Sequence, residues 1–294
     1  MDKVLVIIVT YNAHDWIHQC LNSIDMERYD AFVVDNASSD DTLQILQTEY
    51  PKAIVRAMDK NLGFGQANNI GLRYALDNGY DYVFLLNQDA WLLPDTIERL
   101  IVAQKQNPEY WIVSPLHMSS ENQGLERYFE YLCKLYSVNL CSNGIERVDF
   151  INAALWLVSR KCIESVGGFD PIFPHYGEDN DYVRRVRYWG GKLGIDISII
   201  AYHEHPWKNK VYLKEQEFYR KKLVFLGLWK DINKSNFCGM LSSSSMIFRK
   251  VIRCLFENDY EEMKIYWNIW TTLYQYKKQI KIHRELSKQI KAFL

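Results

Sequence analysis

The residues with the types and spacing for chemistry gather in a few short stretches of the 294-residue chain. Thr10-Tyr11-Asn12, Asp35-Asn36-Ala37-Ser38-Ser39-Asp40, Asp59 with Asn61-Leu62-Gly63-Phe64-Gly65, and Asn87-Gln88-Asp89 each follow a short apolar run. Each brings Asp or Asn together with small or turn-forming neighbours. The backbone N–H groups of Asn61-x-Gly63-x-Gly65, with Asn68 and Asn69 just beyond, suit a phosphate held at a helix N-terminus. Further on, Gly177-Glu178-Asp179-Asn180-Asp181 supplies three carboxylates ahead of a helical pattern whose N-terminus would hold them ionised. No Gly-x-Gly-x-x-Gly follows the first apolar run, which disfavours a dinucleotide site. The absence of any Gly-x₄-Gly-Lys-Ser/Thr excludes a P-loop.

The elements that must position these stretches are readable from periodicity. Val4–Thr10, Ala31–Asp35, Ala53–Ala57 and Tyr82–Asn87 read as strands. Asp15–Ile24, Asp40–Tyr50, Gly65–Asn78 and Pro94–Gln106 read as helices, the last opened by its proline. This alternation predicts an α/β fold with a mostly parallel central sheet and helices on both faces. Ligands in such sheets bind beyond the carboxyl ends of the strands, where all four polar stretches fall. One polar strand end is a cap; four on one rim make a site. No internal repeat or Gly/Ser-rich linker interrupts the chain. The Ser242–Ser245 run reads as a loop or a helix start.

Composition narrows the class. With 48% apolar, 24% charged and 14% aromatic residues, the chain is neither disordered nor collagen-like. Its six cysteines (20, 133, 141, 162, 238, 254) are scattered and form no Cys-x-x-Cys. They read as reduced thiols of a cytosolic protein rather than a disulfide framework or zinc site. The early apolar run Val4–Val9 falls far short of a signal segment or a membrane span of about 20 residues. The net charge of −1 conceals an asymmetry: residues 207–294 carry 18 Lys+Arg against 8 Asp+Glu, and residues 1–206 carry 17 against 28.

Taken together, five motifs resemble the family-2 glycosyltransferases of GT-A fold. They are Val9-Thr10-Tyr11-Asn12, Val34 through Asp40, Asn61 through Gly71, Leu85-Leu86-Asn87-Gln88-Asp89-Ala90, and Gly167-Gly168-Phe169-Asp170 with Tyr176 through Asp181. The likeness is greatest to the branch that includes rhamnosyl- and galactofuranosyl-transferases, and it covers roughly residues 3–206. It implies a Rossmann-like GT-A catalytic domain over 1–206, with a nucleotide-sugar half (1–110) and an acceptor half (111–206). A basic helical extension, 207–294, follows. The resemblance also implies a UDP- or dTDP-sugar donor and transfer with inversion. The acceptor would be a saccharide or a lipid-linked molecule in cell-surface polysaccharide assembly.

The same resemblance implies roles. Tyr11 would stack on the base, while Asp35 and Asn36 would bond base or ribose, an Asp acceptor suiting an imide N–H. Thr10, Asn12, Asn61, Gly63, Asn68, Asn87 and Gln88 complete the donor set. Asn87-Gln88-Asp89 falls where the family keeps its DxD-like element, whose divalent cation (Mn or Mg) neutralises the leaving diphosphate. Asn87 replaces the first acid, which leaves Asp89 as the direct ligand. His203, in Ile200-Ala201-Tyr202-His203-Glu204-His205, falls where several relatives place a metal-binding histidine, with His205 competing. Asp179 would be the base that takes the acceptor proton, with Glu178 beside it for acceptor contacts. Gly167-Gly168-Phe169-Asp170 would carry the acceptor loop. Arg184, Arg185 and Arg187 read as solvated or paired with acids, with phosphate contact open to any of them.

Two other readings compete. A sugar nucleotidyltransferase needs a Gly-rich basic loop after the first strand, where Tyr11-Asn12-Ala13-His14 stands instead. A non-catalytic sugar-nucleotide-binding scaffold is suggested by Asn87 and opposed by the presence of both Asp89 and Asp179. No reader motif accompanies the basic tail, so nucleic acid is not an expected partner. Residues 261–294 lack Pro and Gly and predict one long helix. On it Lys277, Lys281, Arg284, Lys288 and Lys291 form a stripe opposite Ile282, Leu286, Ile290 and Phe293, with Tyr266, Trp267, Trp270 and Tyr274 upstream. That helix packs on the catalytic domain or a second copy, as in a homodimer, or residues 260–294 dock on an anionic membrane. The expected location is cytoplasmic, with a peripheral seat on the inner face of the cell membrane as the second option.

Overall fold

A computed structural model of the chain describes residues 2–120, 124–204 and 214–294. Along the chain run β1 (Val4–Thr10), α1 (Ile17–Asn22), β2 (Asp30–Asp35), α2 (Thr42–Glu49), β3 (Ile54–Ala57), α3 (Phe64–Asp77) and β4 (Tyr82–Asn87). Then come β5 (Ala90–Leu92), α4 (Thr96–Gln106), β6 (Tyr110–Met118), α5 (Arg127–Leu135), β7 (Ile145–Val148), β8 (Leu155–Ser159), α6 (Arg160–Val166), α7 (Glu178–Tyr188) and β9 (Lys192–His203). Four helices close the chain: α8 (Lys214–Lys230), α9 (Asn236–Phe256), α10 (Tyr260–Gln275) and α11 (Lys277–Leu286).

β1 is apolar almost without interruption, the mark of a strand covered on both faces. Its side chains alternate between two cores. Leu5 and Ile7 pack with Leu72 of α3, Val166 of α6 and Tyr182 of α7. Val4, Val6 and Ile8 pack with Leu21 of α1, Leu46 of α2 and Leu100 of α4. The sheet order is β3-β2-β1-β4-β8-β6-β9-β5, with β7 also on β9. The β3-β2-β1-β4 half is parallel as expected. Beyond β4 the sheet is mixed: β8 runs antiparallel to both β4 and β6, β6 and β9 are parallel, and β5 and β7 pair antiparallel with β9. Thr10 lies opposite Asp35, and Val9 opposite Asn87, so the carboxyl ends of β1, β2 and β4 finish level at one rim.

The C-terminal extension departs from the single helix expected over 261–294. Its four helices share a core of Leu223, Leu226, Trp229, Ile247, Ile269 and Ile280, joined by Phe173 from the loop ahead of α7. The serine run is no loop or helix start but the middle of α9, because one helix face there must be small. Buried Ser243 bonds the Phe225 carbonyl at 2.9 Å, and a Cβ on Gly239 would lie 2.5 Å from the Trp229 oxygen. The 261–294 pattern breaks at Tyr276, and α11 folds back on α8. Arg284 is the reason the predicted basic stripe fails. It is buried, and its guanidinium caps carbonyls left at and beyond the end of α8: Trp229 O and Asp231 O at 2.7 Å, Lys234 O at 2.6 Å. Ile282 and Ile290, expected on a packed side, are 58% and 67% exposed.

Candidate active site

The donor-side residues meet at the rim, though several of them serve one another rather than an open space. Asp35 is buried; its Oδ1 accepts from Thr10 Oγ1 (3.0 Å) and Ser38 Oγ (2.5 Å), and its Oδ2 from Ser38 N–H (3.1 Å). Asn12, in a left-handed backbone conformation, accepts from Ser39 through its side chain. Asn36 and Asn61 bond each other at 2.9 Å, and they take the N–H groups of Leu62 and Gly63 at 2.7 and 2.8 Å. Asn68 is buried and donates to Phe64 O one turn back in α3. Of the N–H groups expected at a phosphate, that of Gly63 is therefore occupied, as is its neighbour at Leu62. Gly63 has no side chain to cap α3, so the N–H groups of its first turn remain without intrahelical partners. Tyr11 is different: Gln88 bonds both its N–H (2.7 Å) and its carbonyl (3.3 Å), while the ring is half exposed.

Asp89 and His203 are 114 positions apart, yet the sheet brings them together. β5, directly after Asp89, pairs antiparallel with the end of β9 so that Ala90 faces His203. The Glu204 N–H closes the corner on Asp89 O at 2.9 Å. His203 Nε2 lies 3.5 Å from Asp89 Oδ1 and 3.5 Å from Asn87 Nδ2. Burial pulls the His203 pKa down, but the hydrogen bond and charge of Asp89 outweigh it and leave the pKa raised. Behind it, His117 stands edge-on at 5.7 Å between ring centroids, stacked on Phe129 and bonded to Ser114 Oγ at 3.0 Å. Burial pushes His117 well below its ordinary value, so it is neutral there. Cis ligands of an octahedral ion at about 2.1 Å sit about 3 Å apart, so the Asp89–His203 pair has the chemistry and nearly the spacing to share a divalent cation. Asn87 adjoins the pair through its side-chain amide. Among the described residues no cluster of three His, Cys, Asp or Glu forms a metal site. His205 lies outside them.

Glu178 and Asp179 open α7, where the left-handed Gly177 turns the chain into the helix. Asp179 Oδ1 accepts from the Asn180 N–H at 2.7 Å, and the Ala153 N–H near the carboxylate favours its charged form. The neighbouring Ala154 carbonyl accepts from the Asn87 N–H at 2.9 Å, which ties the Asp179 corner to the end of β4. A Cβ on Gly65 would lie 3.5 Å from Glu178 Cβ, so α3 and α7 meet at their first turns. Burial lifts Asp179 to about 6. Burial, with the Asp179 charge beside it, lifts Glu178 to about 8.

The Gly167–Asp170 turn, expected to carry an acceptor loop, is held from two sides. Asn69 bonds both Phe169 N–H (2.6 Å) and Phe169 O (2.8 Å). The Gly168 N–H bonds Ala292 O at 2.8 Å, and a Cβ on Gly167 would lie 2.0 Å from that oxygen. Arg185 is buried against Asp181 at 2.8 Å, Arg187 pairs with Asp149 at 3.2 Å, and Arg184 donates to the Gly227 carbonyl. All three therefore bind protein partners.

The family model for glycosyl transferase family 2 matches residues 5–155, half of the chain. The chain belongs to that family. This glycosyltransferase is 24% identical over 216 residues to the low-salt glycan biosynthesis hexosyltransferase Agl10 of Haloferax volcanii, spanning 70% of this chain and 68% of that one. It is 27% identical over 147 residues to the glycosyltransferase GlyA of Streptococcus pneumoniae, 48% of this chain and 20% of GlyA. Among solved structures, S. aureus TarS 1–349 in complex with UDP-GlcNAc aligns with a TM-score of 0.60 at 13% identity, covering 97% of this chain and 90% of that one. The mannosyltransferase PcManGT of Pyrobaculum calidifontis, in complex with GDP-Man and Mn2+, aligns at 0.56 and 18%, covering 98% and 88%. These likenesses establish the GT-A fold. They do not single out the rhamnosyl- and galactofuranosyl-transferase branch.

Two features of the glycosyltransferase escaped the sequence. Asn69 stood next to the phosphate motif, but nothing local signalled its clamp on Phe169. His117 lies in the apolar segment Trp111–Met118, and only the long β6–β9 pairing sets it behind His203.

Proposed function

We propose that this glycosyltransferase is of the inverting, hexose-transferring kind, moving a sugar from a nucleotide-diphosphate sugar, UDP- or dTDP-linked, to a hydroxyl of a saccharide or lipid-linked acceptor. The observation that carries the reading is the meeting of Asp179 with the Asn87–Asp89–His203 corner through the adjacent residues Ala153 and Ala154. A base, a diphosphate seat and a nucleotide rim then share one cleft edge. Tyr11 would present its ring to the base of the nucleotide. The first turn of α3 would direct its N–H groups and positive dipole end at the diphosphate. Asp89 and His203, with Asn87, would hold a divalent cation. When bound, that cation stabilises the charge on the departing diphosphate.

Asp179 would accept the proton of the attacking hydroxyl. A base with a pKa near 6 is largely ionised at neutral pH while remaining basic enough to share a proton in the transition state. Glu178, lifted higher, would keep its proton and donate to an acceptor oxygen, so the adjacent carboxyls take different roles. Supporting a polymer-building role, one relative is named for glycan biosynthesis. A peripheral seat on the inner membrane face fits a lipid-linked acceptor. The test is a thermal-shift screen of UDP-, dTDP- and GDP-sugars with Mn²⁺ and with Mg²⁺. A metal-dependent rise in Tm with one nucleotide class is expected, and no shift with any sugar nucleotide would overturn the reading.

A further inference from the structure

α9 shows solvent an apolar stripe made of Phe237, Leu241, Phe248, Ile252, Leu255 and Phe256, the last 85% exposed. At about 100° per residue, these six fall within about 100° of arc. Gly239, Ser243, Ile247 and Cys254, all buried, lie on the far side of the same helix. The stripe is therefore surplus to packing: α9 already has a face that seats it on α8.

α10 extends the patch sideways. Phe248 meets Trp270 at 5.7 Å between ring centroids, Trp270 meets Trp267 at 5.6 Å, and Tyr274 stacks on Trp270 at 5.5 Å. Trp267 and Tyr274 are about half exposed. Rings with one polar atom are the type that collects where apolar and aqueous phases meet.

The charge around the patch has one sign along α9. That helix carries Arg249, Lys250 and Arg253 and no acid; Arg253 pairs with Glu257 just beyond the helix at 2.8 Å. Lys277 and Lys278 sit exposed past the end of α10, with Lys277 Nζ 3.8 Å from the Tyr274 ring centroid. An isologous contact between two copies through α9 would set these cations against themselves. A surface of anionic headgroups over an apolar layer complements both features.

We propose that α9 and the aromatic edge of α10 lie in the plane of an anionic membrane, with the Phe237–Phe256 stripe at the headgroup boundary. This deepens the peripheral seat of the proposed function and moves it from the Lys277–Lys291 stripe, whose Arg284 is buried, to α9. The helix, about 31 Å long at 1.5 Å per residue, lies flat. Among the described residues no helix is long and apolar enough to cross a membrane. Apolar burial supplies the hold and the cations supply the preference for anionic lipid.

The test is flotation of the full chain with vesicles of phosphatidylcholine alone and with phosphatidylglycerol added, at low and high salt. The wild type is expected to float with the anionic vesicles and to be partly released by salt. Combining Ile252→Ser, Leu255→Ser and Phe256→Ser should lower partitioning at least about tenfold, since binding scales with buried apolar area. Arg249→Glu with Lys250→Glu should remove the advantage of phosphatidylglycerol. Failure of the wild type to float, or equal flotation by the serine variant, overturns the proposal. So does a wild-type dimer that the serine variant converts to monomer, since a second copy then covers the stripe. Stabilisation by sugar nucleotides is measured on the same protein without lipid. Its loss would sink the transfer reading and leave the membrane seat standing.

Discussion

Lys230 of α8 and Asp181 of α7 are both buried, with Nζ and Oδ1 2.7 Å apart, and Asp181 stands two residues beyond Asp179. The same ammonium meets Asp170 Oδ2 at 2.5 Å and Ser287 Oγ at 2.8 Å. Arg185 takes the other oxygen of Asp181 at 2.8 Å, and His283 takes the other oxygen of Asp170 at 2.6 Å. One cation from the C-terminal helices thus joins the Gly167–Asp170 turn to the helix that opens with Glu178 and Asp179. Burial works to raise Asp170, but His283 and Lys230 outweigh it and hold the carboxyl below its usual range.

Lys230→Met should therefore destabilise the fold by about 3–5 kcal/mol, the usual cost of leaving buried charge without its partner. Urea unfolding reads this directly. Adding Asp170→Asn to Lys230→Met should recover part of the loss, because one of the two stranded carboxylates is then gone. The depressed Asp170 also fixes a sign. Its contribution is present above the unfolded carboxylate value of about 3.9 and is lost as pH falls through its lowered folded value. Acid unfolding of Asp170→Asn should accordingly be less steep than that of the wild type.

Asp179→Asn should keep sugar-nucleotide affinity and lose about 10²–10⁴-fold in turnover, the contribution of a positioned base. The pH dependence follows from the lift to about 6. A base works deprotonated, so kcat/KM should fall tenfold per pH unit below 6, level off between about 6 and 8, and fall again above about 8 as Glu178 loses the proton it donates. Glu178→Gln should leave that acid limb in place, since Glu178 is still protonated there, its own value being about 8. A limb near 4 in the wild type would contradict the assignment.

How far the sequence reached depends on the range of each contact. The rim was readable because Thr10, Asp35 and Asn87 each end a strand, and strand ends follow from local period and composition. Gly177 and the carboxylates after it were readable as a helix start for the same reason. The inner detail was not. Asn36 and Asn61 are 25 positions apart, and only the packed loop shows that they satisfy each other. The links from Asn69 to Phe169 and from His283 to Asp170 span 100 and 113 positions, and no local pattern encodes them. In the tail, the spacing of Arg284 with its neighbouring lysines was real, but three open carbonyls near the end of α8 outcompeted water for its guanidinium.

Chelation should abolish transfer, and Mn²⁺ should restore it better than Mg²⁺. In the proposed donor set, imidazole nitrogen at His203 favours a transition metal over the all-oxygen preference of Mg²⁺. Asp89→Ala should weaken both metal and donor binding by more than about tenfold, because loss of a merely supporting residue already costs that much. Calorimetric titration of Mn²⁺, with and without the nucleotide, separates the two effects. Full activity after exhaustive chelation would rule out the cation role for Asp89 and His203.

Gly63 offers a test of how the donor and acceptor sides are coupled. Its φ of +80° belongs to the region that side chains rarely adopt, and it forms the N-cap of α3. A Cβ there would lie 1.9 Å from the carbonyl oxygen of Pro174, a backbone atom of the loop that leads to Gly177 and the site carboxyls. Gly63→Ala must therefore strain its own backbone, by about 1–3 kcal/mol, and also push the Pro174 segment away. If the two sides were independent, the variant would lose only stability and donor affinity. Because α3 and α7 touch at Gly65 and Glu178, we expect turnover at saturating donor to fall as well. Measuring kcat beside the donor KM separates the cases: a raised KM with unchanged kcat would show that the Pro174 loop moves without disturbing Asp179.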